Sequence, residues 1–395
     1  MWGSLWLSWI QISSVAIAAA AAAFILTVLL ILSLIRMAPR LGLIDKPGGR
    51  KVHAAPTPAI GGLAIALGCI PVAIYVFPPG RPLEALALAS VLLLITGILD
   101  DLYDLRWQYR ILAHVAAALV LVYFGGVRVD SIGTALGIDG HTLGILSAPF
   151  TVLATTGLIN AVNMADGIDG LAGSIAMATL AMLTAAALYA KNSGLATGLV
   201  LLMGSVAAFL IFNLRTPWNP RARTFLGNAG SEFLGLLIAW ACFRLTQTPA
   251  HPVTPVLAPF LISAPVIDCL ALMAHRIRNG RSPFSADRNH LHHLLIDAGF
   301  SINGVIMVVV AESLLIGLLA ACALLRHVSQ PLFVVSFLGL LAAHFVATAH
   351  RPRALGIYAR LTKLAAGAGF SRRFGAVAAT ADPVEDLPRR RQVAE

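Results

Sequence analysis

Asn160-Ala-Val-Asn163-Met-Ala-Asp166-Gly-Ile-Asp169-Gly-Leu-Ala-Gly173 lies between two long apolar runs, 143–160 and 170–190, and its only charges are two carboxylates. No Lys or Arg in the stretch neutralises them. Each aspartate precedes a glycine, so the backbone is free to turn tightly or to approach a ligand closely. Asn160 and Asn163 are one turn apart and share a face if the first run stays helical to its end. A carboxylate in or beside a bilayer costs at least about 2.5 kcal/mol on insertion scales, which makes these aspartates functional candidates. The plainer reading is that one of them caps the next helix. Further acidic groups recur on what should be the same membrane face, and that favours chemistry.

Outward from this stretch the whole chain is apolar. Of its 395 residues 58% are hydrophobic and 12% charged, against roughly 25% charged in soluble domains. Runs near the ~20 residues needed to cross a bilayer fall at 14–35, 59–77, 85–99, 111–124, 143–160, 170–190, 195–213, 230–247, 255–275, 302–325 and 330–349. The expected architecture is therefore an all-α polytopic membrane protein of about eleven helices, because helices satisfy their own backbone in lipid. The third and fourth runs are short, which predicts tilt or interruption. The first run has no basic segment ahead of it and reads as a retained span. Val127, Val129 and Ile132 alternate within 125–143 and predict a small hairpin. Cys69, Cys242, Cys269 and Cys322 all lie in apolar runs, without CxxC spacing. They read as small core residues and exclude a disulfide framework or zinc site.

Charge orients the spans. Segments 36–58, 100–110, 161–169, 214–229, 276–301 and 350–395 hold 23 of the 28 Lys and Arg, and the opposite side keeps Arg81, Arg128, Lys191, Arg244 and Arg326. The positive-inside rule places the first group in the cytoplasm, with the amino terminus outside and the carboxyl terminus inside. Residues 1–349 are expected to form one membrane domain. Residues 350–395, ending in Arg389-Arg390-Arg391, are expected to be a basic, partly disordered tail drawn to anionic lipid.

The chemistry-bearing residues then collect on the inner face. Asp100, Asp101 and Asp104 would repel one another unless a cation or Mg²⁺ sits among them. The blander reading is an acidic helix end facing water. Arg50, Lys51, His53, Arg221, Arg223, Arg281, Arg288, His290, His292 and His293 supply the opposite sign. Carboxylates that hold a metal and cations that clamp oxygen anions are the two halves of a phosphoryl-transfer site. The spacing of His290-x-His292-His293 is poor for three ligands on one face, so phosphate or nucleobase contact is the better reading. Phe225, beside Gly227 and Gly230, is placed to stack on a base or simply to pack.

Five loops, in order, resemble the polyprenyl-phosphate N-acetylhexosamine-1-phosphate transferases. They are Asp45-Lys-Pro with Arg50-Lys51-x-His53; Asp100-Asp101-x-x-Asp104; Asn160-x-x-Asn163-x-x-Asp166-Gly-x-Asp169-Gly-Leu; Phe225-Leu-Gly-x-x-Gly-Ser231; and Asp287-Arg288-x-His290-Leu-His292-His293. The resemblance implies transfer of a sugar-1-phosphate from a UDP-HexNAc, GlcNAc foremost, to a polyprenyl phosphate such as undecaprenyl phosphate, releasing UMP. It implies a bacterial inner-membrane protein with its site on the cytoplasmic face, starting cell-wall or surface-polysaccharide synthesis. It further implies Mg²⁺, with Mn²⁺ as alternative, no nucleic-acid partner, and leaves a homodimer open. By the same resemblance Asp100 and Asp101 would orient or deprotonate the lipid phosphate. Asn163 and Asn228 would hold the metal, and Asp166 and Asp169 would support uridine and site geometry. Lys51, His53, Asn160, Phe225, Arg288, His290, His292 and His293 would contact substrate.

One position departs from the family pattern, which has Asp where this chain has Asn228. The amide keeps an oxygen and loses a charge, so the metal should bind more weakly. Glu232, one helical turn on, is the residue expected to compensate. A non-catalytic lipid-binding scaffold is the second reading, and Asn228 favours it. A transporter is the third, resting on Asp268 and Glu312 within apolar runs, although a neutral or paired interhelical contact explains those two more simply.

Overall fold

The computed structural model describes residues 13–45, 55–137, 142–247, 252–285 and 289–367. Each of the eleven apolar runs carries helix. They are α1 (Ser14–Leu41), α2 (Gly61–Val76), α3 (Arg81–Tyr103), α4 (Trp107–Leu119), α5 (Ser147–Ala165), α6 (Leu171–Tyr189), α7 (Ser193–Asn213), α8 (Gly227–Thr246), the pair α9 (Ala258–Leu261) and α10 (Ser263–Arg278), and, after the short α11 (Leu291–Asp297), α12 (Ile302–Leu325) and α13 (Gln330–Thr348). A final helix, α14 (Arg351–Gly367), opens the basic tail. Among the described residues nine helical segments are long and apolar enough to cross a bilayer, and α2 is a shorter apolar helix.

The fourth run is interrupted as predicted, α4 giving way to a π-helical segment at Val120–Phe124, and a sharper break falls in the ninth. Pro255–Leu261 and Ser263–Arg278 meet at 85°. Pro265 lacks the N–H that would close the turn, and its ring opposes the carbonyl four residues back. Ile262, with φ −120° and ψ 25°, takes up the break. The predicted hairpin at 125–143 reduces, among the described residues, to a single bridge between Ser131 and Thr142. A two-stranded pair lies elsewhere: β1 (Ile44–Asp45) runs antiparallel to β2 (Thr57–Pro58). The four cysteines are free thiols, but Cys322 is exposed on α12 and is no core residue.

Helix α8 is the centre of the bundle, packed on α2, α3, α5 and α6. It admits its neighbours through residues without side chains. A Cβ on Gly62 of α2 would lie 2.1 Å from Gly230 Cα, and one on Gly97 of α3 would lie 2.4 Å from Ala229 Cα. Without a hydrophobic drive between helices in lipid, such backbone approach is what packs a membrane bundle. On the flanks, α1 packs against α7, and α10, α12 and α13 close the side of α5 and α6. A second apolar cluster, Ile168, Leu171 and Ile175 with Leu291, Leu295, Val305 and Val309, seats α11 under the same end of the bundle.

Gly62→Ala should therefore force α2 off α8. Overpacking of this kind costs about 1–3 kcal/mol, read as a fall in the thermal midpoint of the detergent-solubilised protein. An unchanged midpoint would mean that the contact is looser than described.

Candidate active site

Several structural elements meet at one cavity of about 540 Å³. The carboxyl end of α3 brings Asp100, Asp101 and Asp104, and the end of α5 with the turn after it brings Asn163, Asp166 and Asp169. Asn213 and Arg215 come from the end of α7, Phe225, Gly227 and Asn228 from the start of α8, Asp45 from β1, and His293 from α11.

Local hydrogen bonds explain why these side chains stay in place. Asp100 is buried, accepts the Leu105 N–H at 2.8 Å and pairs with Arg110 at 3.3 Å, which fixes the corner between α3 and α4. Asp104 ends α3 in the left-handed region, φ 51°, a conformation short polar side chains tolerate. The Asp101 carboxylate accepts the backbone N–H of Asn228 at 3.0 Å and of Ala229 at 3.5 Å. It thus caps α8 from a neighbouring helix, where the helix dipole favours negative charge. Gly227 permits this approach: its φ is 74°, and a Cβ there would meet Asp101 Oδ2 at 2.7 Å.

The other half of the site is tied as closely. Asn163 Nδ2 donates to Asn228 Oδ1 and to Ser231 Oγ, each at 2.9 Å. Asp169 accepts from Arg215 Nε at 2.7 Å and from the Ala222 N–H at 3.3 Å. Asn213 accepts the Gly170 N–H at 2.7 Å and donates to the Thr224 carbonyl at 2.8 Å. Phe225 is held through its backbone: its N–H donates to the Pro58 carbonyl and its carbonyl accepts from Gly61 N–H.

Asp166 differs from the others. Among the described residues no donor reaches its carboxylate. Burial, then the charges of Asp101 and Asp169, push its carboxyl up to about 7. Six aspartates line the cavity, against Arg215 and His293. That excess of oxygen donors, with an unpartnered carboxylate beside the Asn163–Asn228 pair, fits a hard divalent cation. The described residues hold no cluster of three His, Cys, Asp or Glu able to bind a metal alone. This is compatible with Mg²⁺, which takes one or two protein oxygens and fills the rest with water and substrate phosphate.

The histidines separate. Only His293 lines the large cavity. His292 is buried with its Nε2 against Gly167, and burial, then His293 and His290, hold its pKa down near 3, so the ring stays neutral. His290 pairs with Asp268 at 3.0 Å, and His344 approaches the same carboxylate at 3.5 Å. Asp268 is thus the paired interhelical contact the sequence allowed, while Glu312 is exposed on α12. His290 and Asn160 face a second cavity of about 170 Å³, which shares Asn163 with the first and is lined also by Arg110, His114 and Arg276. Trp107 and Phe284, stacked at 4.5 Å, both line it.

Glu232 is not where compensation for Asn228 would need it. It is 1% exposed, lies outside the large cavity, and faces His114 at 3.1 Å. Arg221 and Arg223 are exposed and do not line the cavity, and Arg281 is exposed as well. Arg50, Lys51, His53 and Arg288 lie outside the described residues. Arg215 and Asn213 were missed. The available signal was position: both sit where the seventh apolar run ends on the same face as the aspartates.

The glycosyl transferase family 4 profile matches residues 83–246, which holds most of this cavity wall. Relatives named undecaprenyl-phosphate alpha-N-acetylglucosaminyl 1-phosphate transferase match across most of the chain. The Escherichia coli O157:H7 protein is 32% identical over 321 residues, 80% of this chain and 87% of its own length. That of Escherichia coli K12 is 34% identical over 301 residues, 75% and 82% of the two chains. The Yersinia pestis protein is 33% identical over 282 residues, 71% and 77%. The chain belongs to this family.

Because the Asp166 carboxyl is raised in the folded state, its stabilising contribution is complete below the unfolded value, near 3.9. It is lost as pH rises to about 7. Without divalent cations the thermal midpoint should therefore fall over that range relative to Asp166→Asn, and Mg²⁺ should restore it at pH 8. Equal pH profiles for the two proteins would remove Asp166 from the cation site.

Proposed function

We propose that this chain transfers a HexNAc-1-phosphate, GlcNAc-1-phosphate foremost, from a UDP-sugar to undecaprenyl or another polyprenyl phosphate, releasing UMP. We place eleven spans in a bacterial inner membrane, amino terminus outside, with the carboxylate cavity on the cytoplasmic face. The product would start a cell-wall or surface-polysaccharide carrier. The observation that carries this reading is the convergence of Asp100, Asp101, Asp166, Asp169, Asn163 and Asn228 on one cavity, in a chain whose relatives bear that activity's name.

In the reaction an oxygen of the acceptor phosphate bonds to the β-phosphorus of the donor. The bond from that phosphorus to the oxygen bridging the two phosphates breaks, and the oxygen leaves on UMP. A phosphate monoester is largely dianionic at pH 7, so the attack needs no strong base. This agrees with the geometry of Asp100 and Asp101, whose carboxylates are engaged with Arg110, Leu105 and the start of α8. They act here as positioning groups. Asp166 with the side-chain oxygens of Asn163 and Asn228 would hold Mg²⁺, or Mn²⁺, which when bound neutralises charge on the diphosphate. Arg215 and His293 contribute positive charge or donors to the phosphates, Asp169 orients Arg215, and Phe225 offers a ring for uracil. Lys51, His53 and Arg288 are assigned to the phosphates by resemblance. His292 supports Gly167 from behind. The smaller cavity, lined by two arginines and by Asn160 and His290, suits the acceptor phosphate.

The decisive assay is UMP release by purified protein from a panel of UDP-sugars with undecaprenyl phosphate, with and without Mg²⁺. UDP-GlcNAc should give UMP only with acceptor and metal, and silence with every UDP-HexNAc would end the proposal. Asn228→Asp keeps an acceptor for Asn163 Nδ2 and adds a charge, so it should lower the Mg²⁺ concentration needed. Asp101→Asn, which loosens the Asn228 loop, should lower transfer about 10- to 100-fold, the usual effect of losing a group that orients metal ligands.

A further inference from the structure

Among the described residues a further cavity exceeds the carboxylate one in volume. About 650 Å³ lies between α2, α3, α7 and α8, and it shares no lining residue with the carboxylate cavity. Its floor is apolar, reaching Cys69 and Phe233, and its rim carries Glu84, Asn192 and Arg244. These three sit at the outer ends of α3, α7 and α8, opposite the aspartates. Ile74, also on the rim, is 74% exposed, so the cavity opens toward the hydrocarbon. Phe233 and Arg244 are eleven residues apart on α8, about 16 Å at ~1.5 Å per residue. That is close to one leaflet of a hydrocarbon core ~30 Å thick.

An apolar volume of this size, open to lipid, is not left empty: interiors pack densely, and walls facing a void forfeit their dispersion contacts. We infer that this is a binding site for one phospholipid of the leaflet opposite the catalytic face, its acyl chain along α8 and its headgroup at the rim. The rim has a cation and an anion, Arg244 and Glu84, which complements a zwitterion of phosphate and ammonium, as in phosphatidylethanolamine. The leaflet rests on the orientation proposed above; the site itself does not, and its test uses neither sugar nucleotide nor acceptor.

Trp240 lines the cavity and provides the probe. Full-length protein is reconstituted in phosphatidylcholine containing increasing fractions of phosphatidylethanolamine brominated on its acyl chains. The Trp240 contribution is the fluorescence of wild type minus that of Trp240→Phe. The expected result is saturable quenching of that contribution at bromolipid fractions too low to quench the remaining tryptophans, lost in Ala87→Phe, which fills the cavity. Quenching that rises only in parallel with the other tryptophans overturns the site. Brominated phosphatidylglycerol quenching equally well overturns the headgroup assignment, and displacement by undecaprenyl phosphate but not by unlabelled phosphatidylethanolamine overturns the phospholipid. Should Ala87→Phe fail to fold, native mass spectrometry of the wild type decides: one retained phosphatidylethanolamine per chain supports the site, and none overturns it.

Discussion

The inner end of the bundle depends on one carboxylate meeting two backbone amides. Asp101, at the end of α3, accepts the N–H groups of Asn228 and Ala229 that open α8. The first amides of a helix have no partner within it, and in a protein interior an unmet donor costs about 1–3 kcal/mol. The side chain and the helix end therefore satisfy each other. Around that contact Gly97 lets α3 lie on Ala229, Gly62 lets α2 lie on Gly230, and Gly227 leaves room for the carboxylate itself. Exchange Gly97 or Gly227 for a larger residue and Asp101 moves away from α8. The Asn163–Asn228 bond would be disturbed with it.

Charge is the second constraint. Six aspartates share a cavity wall with far fewer cations among the described residues. Protein partners offset part of the cost: Asp100 has Arg110, Asp101 the helix start, and Asp169 has Arg215. Asp166 has none among the described residues, and its raised pKa registers this. A site built this way holds its negative charge ready for a ligand that brings positive charge with it. The smaller cavity has the opposite balance, since Arg110 and Arg276 line it without a carboxylate. Asn163 stands on the wall common to both. On the proposed assignment of the two cavities, this arrangement would keep like charges apart while bringing two anionic reactants within reach of each other.

Much of this could be read from residue order because the bilayer is a severe solvent. It demands apolar length, and all eleven runs carry helix. It also confines polar loops to the two faces, so the motif aspartates had little choice but to gather. What the sequence hid was decided by tertiary approach. Glu232 is one turn from Asn228, yet helix rotation sends it to His114. The three histidines are consecutive or nearly so, yet α11 turns His293 into the large cavity, His292 onto Gly167 and His290 toward Asp268. Arg215 carries no motif of its own, and its place in the site is set by Asp169 across the cavity wall. The break at Ile262 follows from Pro265, but no rule of run length would have chosen the ninth run over the third.

Helix α8 is the least apolar of the nine long segments and the most enclosed by protein. Asn228, Ser231 and Glu232 stand near its start, and acidic side chains resist entering a membrane alone. Seven helices precede it in the chain, including α3, α4 and α5, which hold its polar partners Asp101, His114 and Asn163. Since amino-terminal parts fold first during synthesis, those partners are already embedded when α8 emerges. Its lateral entry can then be guided by protein surface in place of lipid. The order of helices along the gene thus serves biogenesis: the segment least able to insert unaided arrives after the groove that receives it.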